Sequence, residues 1–156
     1  MHIDKSLPIG SVRELWRYPV KSMLGEELGM ATLTERGLQG DRQFALIDLE
    51  TGHVVSAKNP RRWPTMFAFQ ARFVPGSSTN VEITFPDGQI MTESMRNVDA
   101  VLSERLGRKV ALTSVPPAQP LLEQYSPNLD GLSERDSETT VKISADKAEC
   151  WVPTQN

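Results

Sequence analysis

Two short segments of this chain bring together the groups that hold an anion. In Trp16-Arg17-Tyr18-Pro19-Val20-Lys21-Ser22, a lysine and a serine follow a run that Pro19 stops. An ammonium, a hydroxyl and free backbone amides converge there at the rim of a strand, as a phosphate or carboxylate requires. In Gly37-Leu38-Gln39-Gly40-Asp41-Arg42, Arg42 opens a strand with a planar donor fork, and Asp41 either orients that fork or closes the turn before it. The plainer reading of both is solvent: a hydrated loop lysine, a turn serine and an exposed Asp–Arg pair worth little. Lys58, Arg61 and Arg62 add positive charge beside Trp63, which reads as a core plug rather than a stacking surface.

Other chemistries have little to build on. No histidine is paired with a nucleophile, and no glycine-rich loop of the nucleotide or dinucleotide type is present. The single cysteine, Cys150, forms no intramolecular disulfide or thiolate cluster, and His2 and His53 are not at a metal-ligand spacing. Neither a catalytic residue nor a protein-ligated metal is therefore assigned. The net charge is −3, with ten Lys/Arg against eight Asp/Glu over residues 1–75 and seven against twelve over residues 76–156. That slight early excess excludes the dense basic face of a nucleic-acid-binding domain.

The elements that must position these groups are short. Between Gly10 and Ser114, apolar runs bounded by turn residues predict strands at Val12–Tyr18, Leu28–Leu33, Gln43–Asp48, His53–Ala57, Met66–Val74, Val81–Phe85, Gln89–Thr92 and Val110–Val115. Glu50-Thr51-Gly52 and Pro86-Asp87-Gly88 read as hairpin connections, the first pairing Gln43–Asp48 antiparallel with His53–Ala57. Phe67, Phe69, Ala71 and Phe73 alternate onto one core face. One helix is predicted from Asn97 to Leu106, with Asn97 as N-cap, Val98, Val101, Leu102 and Leu106 on one face, and Gly107 as the left-handed stop.

Fold class follows as all-β in the main: a small β-barrel or sandwich of about seven or eight strands with one helix. With 156 residues, 38% of them hydrophobic and 24% charged, one core is expected in one domain. After Ser114, three prolines in six residues open an acidic, aperiodic stretch, read as a linker and poorly ordered tail over residues 115–156. No apolar run approaches the roughly 20 residues that cross a bilayer, and Met1-His2-Ile3-Asp4-Lys5 is not a secretion signal. A soluble, cytoplasmic protein without membrane or nucleic-acid partners is expected.

Taken in order, Leu15-Trp16-Arg17-Tyr18-Pro19-Val20-Lys21-Ser22, Gly25, Gly37-Leu38, Asp41-Arg42 and Ser56-Ala57-Lys58-Asn59-Pro60 resemble the N-terminal β-barrel domain of the MOSC family. That family includes the C-terminal region of molybdenum cofactor sulfurase and the amidoxime-reducing components. The resemblance covers about Val12 to Ser114. It implies a barrel over residues 1–114 that packs against a MOSC domain, with the pyranopterin molybdenum cofactor between them. It also implies that Lys21, Ser22 and Arg42 contact the cofactor's phosphate.

Gln124 to Asp136 looks like the family's connector into the second domain, which is itself expected to be missing. With it would go the thiolate ligand of molybdenum, since Cys150 does not match that position. The expected partner is a separately encoded MOSC domain or a second copy of the chain. The alternative is a stand-alone β-barrel interaction module, or a truncated product without retained chemistry.

Overall fold

The structure is a computed structural model and describes residues 10–126 and 137–142. It is mainly β with a single helix. The first strand, β1 (Leu15–Arg17), pairs antiparallel with β2 (Glu26–Leu28), Arg17 opposite Glu26. Gly29 ends β2, so the expected strand over Leu28–Leu33 is divided. Beyond the break, β3 (Leu33–Thr34) and β4 (Gly37–Leu38) form a small separate hairpin. Next comes β5 (Ala45–Asp48), the most buried strand of this half.

Met66–Ala68 is a single 3₁₀ turn, and the following strand, β6 (Gln70–Phe73), begins only beyond it. This corrects the expected strand from Met66. The tighter turn breaks the period of two, so Phe67 is 61% exposed while Phe69, Ala71 and Phe73 stay buried. A meander continues through β7 (Val81–Thr84) and β8 (Ile90–Thr92), paired across the expected turn at Pro86-Asp87-Gly88. The helix α1 (Val98–Leu106) lies where its spacing places it, with Val98 and Leu102 buried. Gly107 ends it at φ 69°, whereas Asn97 makes no side-chain capping bond. The next strand, β9 (Val110–Thr113), pairs antiparallel with β5, Asp48 opposite Val110.

His53–Ala57 does not form a full partner strand for β5. It meets β5 through one antiparallel bridge, Ile47 to Val54, supported by the bonds of the Asp48 amide to the His53 carbonyl and the Val55 amide to the Leu46 carbonyl. Its other side is engaged as well. In the stretch read as linker and tail, β10 (Leu121–Ser126) and β11 (Ser137–Lys142) form an antiparallel pair, and Val54 bridges to Leu122 in parallel. Leu122 is buried with Ala45 and Val54. The remaining residues of that stretch, 127–136 and 143–156, which include Cys150, lie outside the described residues, as do residues 1–9.

The main apolar core contains Val20, Met23, Phe44, Leu46, Val55, Trp63, Phe69, Phe73, Ile83 and Leu102, and the small cluster of Ala45, Val54 and Leu122 is separate from it. Trp63 is 4% exposed and is the expected plug. Among the described residues no helix is long and apolar enough to cross a membrane.

Candidate functional site

The two segments singled out above lie side by side. Val20 and Phe44 form a parallel bridge. The Lys21 amide donates to the Phe44 carbonyl at 2.8 Å, the Phe44 amide to the Pro19 carbonyl at 2.9 Å, and the Arg42 amide to the Tyr18 carbonyl at 2.7 Å. Pro19 ends the strand but keeps its carbonyl, and that carbonyl anchors the second segment. Close packing just beyond the site needs a glycine. A Cβ on Gly25 would stand 2.2 Å from the Arg17 carbonyl oxygen, so a side chain there would force β1 and β2 apart.

Ser22 at φ 68° and Arg42 at φ 51° are the non-glycine residues with left-handed backbone among those described. Each such residue costs on the order of 1 kcal/mol or more and persists only where neighbours hold it. Ser22 is held through its hydroxyl, which accepts the Ala57 amide at 3.1 Å and the Lys21 ammonium at 3.4 Å. Both lone pairs are thus engaged, and the hydroxyl proton is left for an acceptor outside these contacts. Arg42 is held by its amide and by Asp41. One Asp41 oxygen accepts the Tyr18 amide at 2.8 Å, and the other lies 3.8 Å from the Arg42 Nε. The Arg42 side chain is 61% exposed.

Lys21 is half-buried, with its ammonium donating to the Val55 carbonyl at 3.3 Å. Burial, together with the positive charges of Arg42 and Lys58, lowers its pKa from 10.5 to about 8. The ammonium therefore has neutral acceptors and two cationic neighbours, with no carboxylate bonded to it. Such a group gains from an anion that supplies the missing negative charge.

Lys21, Ser22 and Arg42, expected to converge from their positions in two motifs, are brought to one rim. Lys58 joins them, and sequence reasoning placed it elsewhere, beside Trp63 with Arg61 and Arg62. Those two arginines are turned to other uses. The Arg61 guanidinium lies 4.2 Å from the Tyr125 ring centre, and Arg62 pairs with Asp48 at 2.8 Å. Lys58 comes near Lys21 because the Ala57 amide beside it donates to the Ser22 hydroxyl, a non-local contact that no local spacing reveals.

A second charged cluster was not foreseen. Asp48, 2% exposed, binds Arg62 and lies 3.7 Å from the Arg108 Nε. Arg108 also pairs with Glu50 at 2.8 Å, and Glu123 lies between His53 at 3.0 Å and Arg62 at 3.3 Å. Burial alone would raise the pKa of Asp48, but the hydrogen bonds from Arg62 and the Glu50 amide and the nearby arginine charges outweigh it and hold the carboxyl below its ordinary 3.8. Here each carboxylate has an arginine partner. No group of three or more His, Cys, Asp or Glu side chains able to hold a metal occurs among the described residues.

The arrangement defines a class first: a small, mainly β domain whose strands support a rim with unbalanced positive charge. Over residues 9–115 the chain matches the MOSC N-terminal beta barrel domain, and it belongs to that family. It is 39% identical over 57 residues to the mitochondrial amidoxime reducing component 2 of Macaca fascicularis. That match covers 35% of this chain and 17% of the relative. No solved structure gives a significant match.

Proposed function

We propose that this chain is the cofactor-side half of a molybdenum-cofactor-binding protein and takes the phosphate of the pyranopterin at the Lys21–Ser22–Arg42 rim. One observation carries the reading: the half-buried Lys21 ammonium bonds only to the Ser22 hydroxyl and the Val55 carbonyl, with two cationic neighbours, Arg42 and Lys58, and no carboxylate among its partners. A dianionic phosphate suits this donor set. Lys21 would act as a point charge, Arg42 as a fork, and Ser22 through its unspent hydroxyl proton. The molybdenum end of the cofactor, when bound, supplies the redox chemistry of the family. The residues named here bind and orient, and none of them is assigned a catalytic step.

The domain organisation proposed with this function is a barrel over residues 1–114 and a connecting segment over residues 115–156, with a MOSC domain as the partner that completes the site. Tyr18 and Leu24, exposed by 40% and 47%, flank the rim and offer an apolar ledge for such a domain to cover.

A titration with inorganic phosphate, followed by backbone amide shifts, tests the reading. Perturbations at Val20 to Leu24 and Asp41 to Gln43 are expected, with a dissociation constant on the order of millimolar because the half-site is open to water and salt. Lys21→Ala and Arg42→Ala should each weaken binding, whereas Arg105→Ala on α1 should not. Shifts that avoid both segments would overturn the site.

A further inference from the structure

We infer that β10 is a positioning element of this site, and that phosphate binding and the docking of β10 reinforce one another through residues 53–58. The inference rests on the proposed anion site. The 53–58 segment is shared between two neighbours that it serves on opposite sides. Toward the rim, the Val55 carbonyl accepts the Lys21 ammonium, the Ala57 amide donates to the Ser22 hydroxyl, and Lys58 adds its charge. Toward β10, the Val54 amide donates to the Leu121 carbonyl at 2.7 Å, and the Lys58 carbonyl accepts the Tyr125 amide at 3.0 Å.

These contacts lie along one short segment whose hold on β5 is one bridge with its two backbone bonds, Asp48 amide to His53 carbonyl and Val55 amide to Leu46 carbonyl. Side chains add to the clasp. Leu122 is buried against Val54, and Glu123 binds His53 across the same boundary. Removing β10 would therefore leave Val54 without its acceptor and the Lys58 carbonyl without its donor. The groups that fix Ser22 in its left-handed conformation would loosen with them. β10 lies beyond residue 115, outside the matched barrel domain, so the site depends on chain that the domain match does not include. Because binding free energies are reciprocal, a ligand that tightens residues 55–58 must tighten β10 equally.

The test uses the full chain and inorganic phosphate. Amide hydrogen exchange of Tyr125 and Val54 should slow roughly fivefold at saturating phosphate, near the low end of ordinary coupling between sites. In Lys21→Ala, the same phosphate concentration should leave both amides unchanged. Conversely, Tyr125→Pro, which lacks the amide hydrogen, and Glu123→Ala should each weaken phosphate binding about fivefold. Val81→Ala, a destabilising change in β7, should not. That control separates positioning from general loss of stability.

Phosphate shifts at Lys21 and Arg42 with unaltered exchange at Tyr125 and Val54 would overturn the coupling and leave the site standing. An absence of phosphate shifts would overturn both. If Tyr125→Pro does not fold, the exchange measurement on the unaltered chain still decides.

Discussion

The rim and the Asp48 cluster are both built from charged side chains, none of them shared, and reach opposite electrostatic ends. Around Asp48, three carboxylates meet two arginines, and each of these carboxylates has an arginine partner inside the protein. At the rim, Lys21, Arg42 and Lys58 face one another, and Asp41, the nearest carboxylate in the Arg42 segment, spends one oxygen on the Tyr18 amide. A cluster that is complete within the chain serves folding. One that needs charge from outside is where a ligand belongs.

The strongest way to break this contrast is Asp48→Ala. It would leave Arg62 and Arg108 without their shared buried partner and should cost about 3–5 kcal/mol of unfolding free energy, read from urea denaturation. A loss below about 1 kcal/mol would show that the cluster is no more structural than an exposed ion pair.

Lys21→Met should do the reverse. Phosphate affinity should fall about tenfold, as expected for one sheltered charge-assisted contact, while stability holds or rises because a half-buried cation is gone. A fall in stability comparable with that of Asp48→Ala would erase the distinction.

The two clusters should also part in their pH dependence. Lys21 has a folded pKa near 8 against 10.5 unfolded, so the unfolded chain holds more protons between those values, and the contribution of Lys21 to stability rises with pH across that window. Phosphate affinity should fall as pH rises through about 8, and this fall should vanish in Lys21→Met. Asp48 behaves oppositely: its folded pKa lies below 3.8, so its stabilisation is present above 3.8 and is lost as pH falls through the folded value. Thermal melts from acid to alkaline pH and phosphate titrations between pH 7 and pH 9 check both halves.

The smallest effect is expected at Arg105→Ala. This exposed partner of Asp87 belongs to neither cluster and should change stability by about 0.5 kcal/mol or less. A change in phosphate affinity here would blur the boundary of the rim.

Much of this architecture was legible in the residues. From Asn97 to Gly107 the helix carries its apolar period and its stop glycine in eleven consecutive positions, and the 81–92 hairpin carries its turn between two alternating runs. Lys21, Ser22 and Arg42 were legible because each sits at the end of a short motif. What escaped depends on contacts distant in sequence. Phe67 lost its place on the core face to a 3₁₀ turn that follows Pro64. In β10, Leu122 is the only side chain read as buried, too little alternation to announce a strand, and its pairing partner lies almost seventy residues earlier. Lys58 and Asp48 were likewise visible as residues but not as neighbours.

The register of β10 and β11 sets where the later chain starts. Leu121 lies opposite Lys142, so the polypeptide leaves Pro120, travels out and back through some twenty residues, and returns one strand's width from its departure, about 5 Å. The excursion is closed. A hairpin exchanged for the β10–β11 pair would therefore leave Lys142 in the same place, provided that its first strand kept the contacts that β10 makes with Val54 and Lys58.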